Sequence, residues 1–319
     1  MSYTYDPELT RALAMLPDVD LTDLVGTRAK LAAAEADVSN DSFPCYVDVS
    51  ERMVAGVGGE PDVPVRIYRP AGTAGRSSVL LYLHGGGFVL GGLDTVHGAA
   101  AEIAAEAGVV VVSVRYRLAP ENPFPAAMKD CLSVLARVSA GDAGVDADPL
   151  RIGVGGDSAG AGLAAGVALA ARDRKGPALR FQLLNMPALD DRLETPSMRA
   201  FVDTPLWTRA QAAHSWRYYL AKGTEHDGTD WARYAAPARA DDLSGLPPAY
   251  VAVCEFDPLR DEGLDYGRRL VAAGVNTEIH LYPGTFHGCT RIVHADVARR
   301  MRSDAYGAVR RALLPTPSR

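Results

Sequence analysis

The sequence predicts an α/β fold, a mostly parallel sheet flanked by helices on both faces. Three observations carry that expectation. Short runs rich in Val, Ile, Leu and Tyr alternate with helix-like segments. The later runs are continuously apolar, as strands covered on both faces must be. No internal repeat or low-complexity tract interrupts the alternation. At 319 residues and 48% hydrophobic content, the chain can bury one large core but not two ordinary enzyme domains.

Taken in order, residues 1–42 read as helices without a strand. Eight strand candidates follow: "CYVDVSERMV", "VPVRIYRP", "SSVLLYLH", "VVVVSVRY", "RIGVGG", "FQLLNMPA", "AYVAVCEF" and "NTEIHLYP". Between them, "LDTVHGAAAEIAAEAG", "NPFPAAMKDCLSVLARVSA", "SAGAGLAAGVALAARDRKG" and "DPLRDEGLDYGRRLVAAG" read as helices, the last two closing on glycine. Residues 190–225 break the alternation by inserting "TPLWTRAQAAHSWRYYLA" between two strands. The expected layout is therefore N-terminal cap helices (1–42), a first core part (43–189), a cap insertion (190–225) and a second core part (226–319). Each supposed cap segment, read alone, could equally be a peripheral helix that only adds core.

Composition narrows the function classes. A formal charge of −6 without a basic stretch argues against nucleic acid and anionic membranes as partners and favours a small neutral substrate. No uncharged apolar run reaches the roughly 18 residues that span a bilayer, and Asp6 and Glu8 stand where a secretory leader would be basic. A soluble, cytoplasmic protein is expected. Cys45, Cys131, Cys254 and Cys289 lack CxxC spacing, which gives neither a disulfide framework nor a zinc site.

The chemistry begins at "VGGDSAG", residues 154–160, where an apolar strand breaks and a small-residue helix starts. A serine hydroxyl stands exposed at a strand end only if the chain turns sharply, which needs small neighbours; Gly156 and Gly160 flank Ser158 in that way. A second motif, "LLYLHGGGF" at 80–88, puts three glycines after a strand, so bare amides can approach a ligand. The amides of Gly85, Gly86 and Ala159 could together hold an oxyanion. A serine needs a base, and the base needs a carboxylate. Of the late histidines, His280 falls inside a strand candidate and His294 on the expected final helix, whereas His287, in "GTFHG", falls in a loop able to reach back over the sheet. For the acid, Asp257 competes with Asp190 and Asp191, all at strand ends, and Asp before Pro is also a good helix cap. Asp157 and Asp261 read as helix-terminal charges. Phe88, Val89, Leu206, Trp207, Trp216 and Tyr219 are candidates for an apolar acyl pocket, and ordinary core packing would explain any one of them.

"HGGGF" (84–88), "YRLAPENPFPAA" (116–127), "GDSAG" (156–160), "DPLRDEG" (257–263) and "FHG" (286–288) together resemble the bacterial hormone-sensitive lipase-like (family IV) esterases of the α/β-hydrolase superfamily. The resemblance runs over residues 45–312. It implies an eight-stranded sheet with a helical cap, and a serine carboxylesterase of short- to medium-chain esters needing no metal or organic cofactor. It also implies Asp257 as the acid beside Ser158 and His287, oxyanion amides at Gly85, Gly86 and Ala159, and a homodimer joined at the last-strand edge. Arg115, where an acidic residue is expected, and Ala236 before Pro237, where the pattern has serine, depart from the family. The same three residues would also suit a deacylase, amidase or thioesterase for one metabolite, and a non-catalytic ligand-binding relative is the remaining alternative.

Overall fold

The computed structural model describes residues 3–38, 46–73, 75–221 and 231–315. The eight expected strands form one sheet in the order β1-β2-β4-β3-β5-β6-β7-β8. They are β1 (Val47–Val54), β2 (Val63–Pro70), β3 (Ser77–Leu83), β4 (Val110–Val114), β5 (Ala147–Asp157), β6 (Phe181–Asn185), β7 (Ala249–Phe256) and β8 (Thr277–Phe286). β2 runs antiparallel to β1 and β4, and β3 to β8 are parallel. The patterning anticipates this difference: β3 and β4 are buried at every residue, whereas edge strand β1 is exposed along most of its length.

Ten helices accompany the sheet among the described residues: α1 (Pro7–Ala12), α2 (Leu24–Val38), α3 (His97–Ala107), α4 (Ala126–Ala140), α5 (Ala159–Asp173), α6 (Pro196–Ala200), α7 (Arg209–Leu220), α8 (Ala232–Ala235), α9 (Arg260–Ala272) and α10 (Asp296–Leu313). Their starts and stops have local causes. Asp6 caps α1 through the Glu8 amide, Thr208 and Gln211 form a reciprocal capping box on α7, and α3 and α4 end on left-handed Gly108 and Gly141. Two apolar layers result. One joins α4, α5 and α9 to one sheet face; the other joins α3 and α10 to the opposite face.

The segments that break the alternation meet each other and the glycine loop. The Gln211 side chain donates to Val19 O at 2.7 Å, and Ser215 Oγ to Gly87 O at 2.6 Å. Arg28 of α2 donates to Val89 O at 2.9 Å and Ala119 O at 2.8 Å. The expected boundaries at 42/43 and 225/226 lie outside the described residues. No helix among the described residues is long and apolar enough to cross a membrane.

Candidate active site

β5 ends at Asp157 and α5 begins at Ala159, so Ser158 alone makes the turn, at φ 55° and ψ −119°. Such a conformation costs on the order of 1–3 kcal/mol in a residue with a Cβ. Three backbone hydrogen bonds hold it: the Ser158 amide donates to Asn185 O at 2.8 Å, and Ser158 O accepts from Gly162 at 3.0 Å and Ala188 at 3.1 Å. The flanking glycines are steric necessities, because a Cβ would stand 2.3 Å from Leu83 O at Gly156 and 2.0 Å at Gly160. Asp157 departs from the expected helix-terminal charge. It closes β5, accepting from Tyr82 Oη at 2.7 Å and Asn185 Nδ2 at 3.0 Å, and burial raises its pKa.

Asp257 follows β7 and His287 follows β8, both at the carboxyl edge that carries Ser158. His287 Nε2 lies 2.9 Å from Ser158 Oγ, and His287 Nδ1 lies 2.7 Å from Asp257 Oδ2. Asp257 is fully buried, and only 7% of Ser158 and of His287 is exposed. With Nδ1–H donated to the carboxylate, Nε2 is left as an acceptor facing the serine hydroxyl. The other carboxylate oxygen accepts from the Leu259 amide at 2.8 Å. Asp257 thus closes the turn before α9 and holds His287; it does not cap the helix, whose N-cap is Leu259 without a side-chain hydrogen bond.

The competing side chains are engaged elsewhere. Asp190 pairs with Arg192 at 2.7 Å and Asp191 with Arg239 at 2.6 Å. Asp261, in the first turn of α9, pairs with Arg260 and accepts from the Ser197 amide. His280 lies within β8, 2.7 Å from Glu278, with its ring beside Tyr250 and Tyr282. His294 is exposed in the turn before α10 rather than on the helix, because the helix starts only at Asp296, after Ala295 at its N-cap.

The glycine loop follows β3 and faces the serine: a Cβ on Gly85 would stand 3.5 Å from Ser158 Cβ. His84 fixes its orientation. His84 Nδ1 donates to Gly85 O at 2.8 Å, its ring stacks on Tyr116 at 4.1 Å, and Tyr116 Oη donates to His84 O at 2.7 Å. Burial pushes His84 down to about 4, so the ring stays neutral at pH 7. Gly85 C=O and Gly86 N–H share one planar trans peptide, so pinning the oxygen turns the Gly86 amide to the opposite side. Gly86 itself, at φ 121°, leaves no room for a Cβ, which would lie 2.3 Å from Leu90 O. Ala159 is buried at the amino end of the 15-residue α5, where helix amides favour negative charge.

The six pocket candidates separate into two groups. Phe88, Val89, Trp216 and Tyr219 are buried, with Phe88 stacked on Tyr219 at 3.9 Å and tilted against Trp216 at 5.2 Å. Leu206 and Trp207 flank the histidine: the Trp207 ring centroid is 5.8 Å from that of His287, and Leu206 Cδ1 is 3.1 Å from where a Gly288 Cβ would stand. Trp216 also lines, with Leu193, Ala213 and Leu220, a groove of about 300 Å³.

Several supporting residues escape sequence reasoning. Glu262 Oε1 accepts from the Leu189 amide at 2.7 Å, and burial holds the carboxyl well above its usual range. Met186, at φ 46°, accepts the Gly288 amide on Sδ at 3.4 Å. Asn185, Ser215 and Arg28 act through contacts across long sequence separations. Only Glu262, inside "DPLRDEG", carried a local signal: a charged residue on the buried face of a helix.

Comparison with known proteins agrees with this geometry. Residues 80–291 match the family described as "alpha/beta hydrolase fold". The chain is 43% identical over 240 residues to carboxylesterase NlhH of Mycobacterium tuberculosis, covering 75% of each chain. It is 33% identical over 305 residues to an ethyl acetate hydrolase of Pseudomonas putida, covering 90% of this chain and 92% of the relative. The solved structure of a bacterial heroin esterase superposes with a TM-score of 0.92 at 47% identity, covering 98% of this chain and 99% of that one. The chain belongs to the hormone-sensitive lipase-like esterases of the α/β-hydrolase fold, and is a carboxylic ester hydrolase.

Proposed function

We propose that this esterase hydrolyses short- to medium-chain esters of small neutral compounds through an acyl-enzyme on Ser158. The hydrogen-bonded relay from Asp257 through His287 to Ser158, at 2.7 and 2.9 Å, carries this reading. Ser158 Oγ attacks the ester carbonyl while His287 Nε2 takes its proton, and the buried Asp257 keeps the histidine tautomer and stabilises the imidazolium. The amides of Gly85, Gly86 and Ala159 receive the oxyanion. His287 then protonates the departing alcohol, and water repeats the sequence on the acyl-enzyme. The chemistry calls on no metal or organic cofactor.

The helices of residues 3–38 and 196–220 act as a cap, with Leu206 and Trp207 bounding the acyl site beside His287. A relative named for ethyl acetate supports a small-ester substrate. The formal charge of −6 supports action on a neutral small molecule in the cytoplasm rather than on nucleic acid or an anionic membrane. The β8 edge, where Ile279 and Leu281 are exposed, pairs two copies into a dimer; a monomer in sedimentation at micromolar concentration would refute that pairing.

Initial rates on p-nitrophenyl esters from acetate to palmitate test the mechanism. The expected profile peaks at short chains. Ser158→Ala lowers kcat by about 10⁵-fold or more, and Asp257→Asn by about 10⁴-fold. Hydrolysis that survives in Ser158→Ala overturns the assignment, and a peak at palmitate overturns the chain-length preference.

A further inference from the structure

Two of the four cysteines meet beneath the candidate active site. Cys254 lies on β7 three residues before Asp257, and Cys289 lies two residues after His287. Their Sγ atoms are 4.0 Å apart, and Cys289 Sγ is 3.7 Å from Met301 Sδ on α10. All three side chains are buried in the apolar layer between the sheet and α10. A first-row metal–thiolate bond of about 2.3 Å places the sulfurs of a trigonal site about 4.0 Å apart. The two separations, Cys254 to Cys289 and Cys289 to Met301, lie near that spacing, whereas a disulfide would require the two Sγ atoms to close to about 2.0 Å.

The donor set restricts the metal. Among the described residues no three His, Cys, Asp or Glu side chains converge, so this cluster reaches three donors only through a thioether. Two thiolates in an apolar layer exclude magnesium and calcium, and a third donor that is a thioether, with no fourth from His, Cys, Asp or Glu among the described residues, favours Cu(I) over four-coordinate zinc. We propose that Cys254, Cys289 and Met301 form a binding site for Cu(I), and that its occupancy slows ester hydrolysis. On binding, the two S–H bonds break and two Cu–S bonds form, both protons pass to solvent, and copper stays Cu(I). The link to activity rests on the Ser158–His287–Asp257 reading, because the metal ties together the two segments that carry the acid and the histidine. Binding does not rest on it.

The test uses the full chain in a Cys45→Ala/Cys131→Ala background, which leaves only this thiol pair. Cu(I) is added anaerobically as its acetonitrile complex, with Ag(I) as a redox-inert surrogate. One equivalent should bind with near-ultraviolet thiolate-to-metal absorption, and ester hydrolysis should fall slowly by up to about 100-fold, the scale of a 1 Å misplacement, and recover with a Cu(I) chelator. Adding Cys254→Ala or Cys289→Ala should leave basal hydrolysis intact and abolish both signals. Met301→Leu, which keeps both thiols, should weaken binding by at least about tenfold. No uptake, or the same uptake without the pair, overturns the site. Uptake that needs the pair but leaves hydrolysis unchanged overturns only the coupling.

Discussion

The loops at the carboxyl ends of β3, β5, β7 and β8 are held differently from the helices that lie over them. Ser158, His287 and Asp257 each stand one residue beyond a strand, and backbone atoms crowd the turns so closely that no Cβ fits at Gly156 or Gly160. α2 and α7 instead reach the glycine loop through side chains, by hydrogen bonds from Arg28 to Val89 O and from Ser215 to Gly87 O and by the rings of Tyr219 and Trp216 against Phe88. Crowded backbone resists displacement because relieving it moves strands, whereas side-chain ties can break singly at about 1 kcal/mol each. The first arrangement suits fixed catalytic geometry. In the proposed mechanism the second would let the cap admit and release substrate.

The largest effect should come from breaking the crowded side. A Gly160→Ala Cβ would stand 2.0 Å from Leu83 O and 2.5 Å from His84 O, both backbone atoms of β3 and its loop. Such overpacking should cost more than about 3 kcal/mol and lower activity in whatever fraction still folds. Gly92→Ala is the control, since nothing lies within 4 Å of its Cβ position and its backbone is not left-handed. Urea denaturation of both variants checks this; a Gly160→Ala midpoint equal to that of Gly92→Ala would remove backbone crowding from the account.

The two regions also differed in how far the sequence disclosed them. The inner parallel strands β3 to β7 are legible because buried parallel strands need continuous apolar runs, and Ser158 and the glycine loop because sharp turns admit few residue types. Asp257 was not separable by spacing from Asp190 and Asp191, since all three follow strands. What separates them is the arginine beside each rival, Arg192 and Arg239, and the second of these lies 48 residues away in sequence. The glycine-loop supports from Arg28 and Ser215 lie 61 and 128 residues from their partners and left no local pattern. His294 was misplaced because the amphipathic pattern of α10 does not mark where its first turn starts.

A smaller effect should appear with pH at His84. Unfolded, this imidazole titrates near 6.5; folded, burial holds it at about 4. Between those values the unfolded chain takes up a proton that the folded chain refuses, so stability should fall as pH drops from 6.5 to 4, by up to about 3 kcal/mol. His84→Phe keeps the ring over Tyr116 and removes the titration. It should be less stable at pH 7, having lost the bond to Gly85 O, yet flatter towards acid. Urea midpoints at pH 7, 6, 5 and 4.5 give the difference, and parallel curves for the two proteins would mean that acid sensitivity originates elsewhere.

The smallest effect should lie on the helical side. Arg28, with 29% of its side chain exposed, spans from α2 to Val89 O, Ala119 O and the Glu121 carboxylate. Exposure screens its ion pair, so Arg28→Met should cost only about 1 kcal/mol in stability, mostly through the two carbonyls. Its kinetic signature matters more. If α2 only helps close the site over substrate, KM should rise by a few-fold while kcat stays within about twofold, the pattern of lost binding that is equal in ground and transition states. A fall in kcat at unchanged KM would show instead that Arg28 holds the Gly86 amide in place through Val89, because Val89 N and Leu90 N both donate to Gly86 O. That outcome would move α2 from the adaptable helices to the fixed frame of the site.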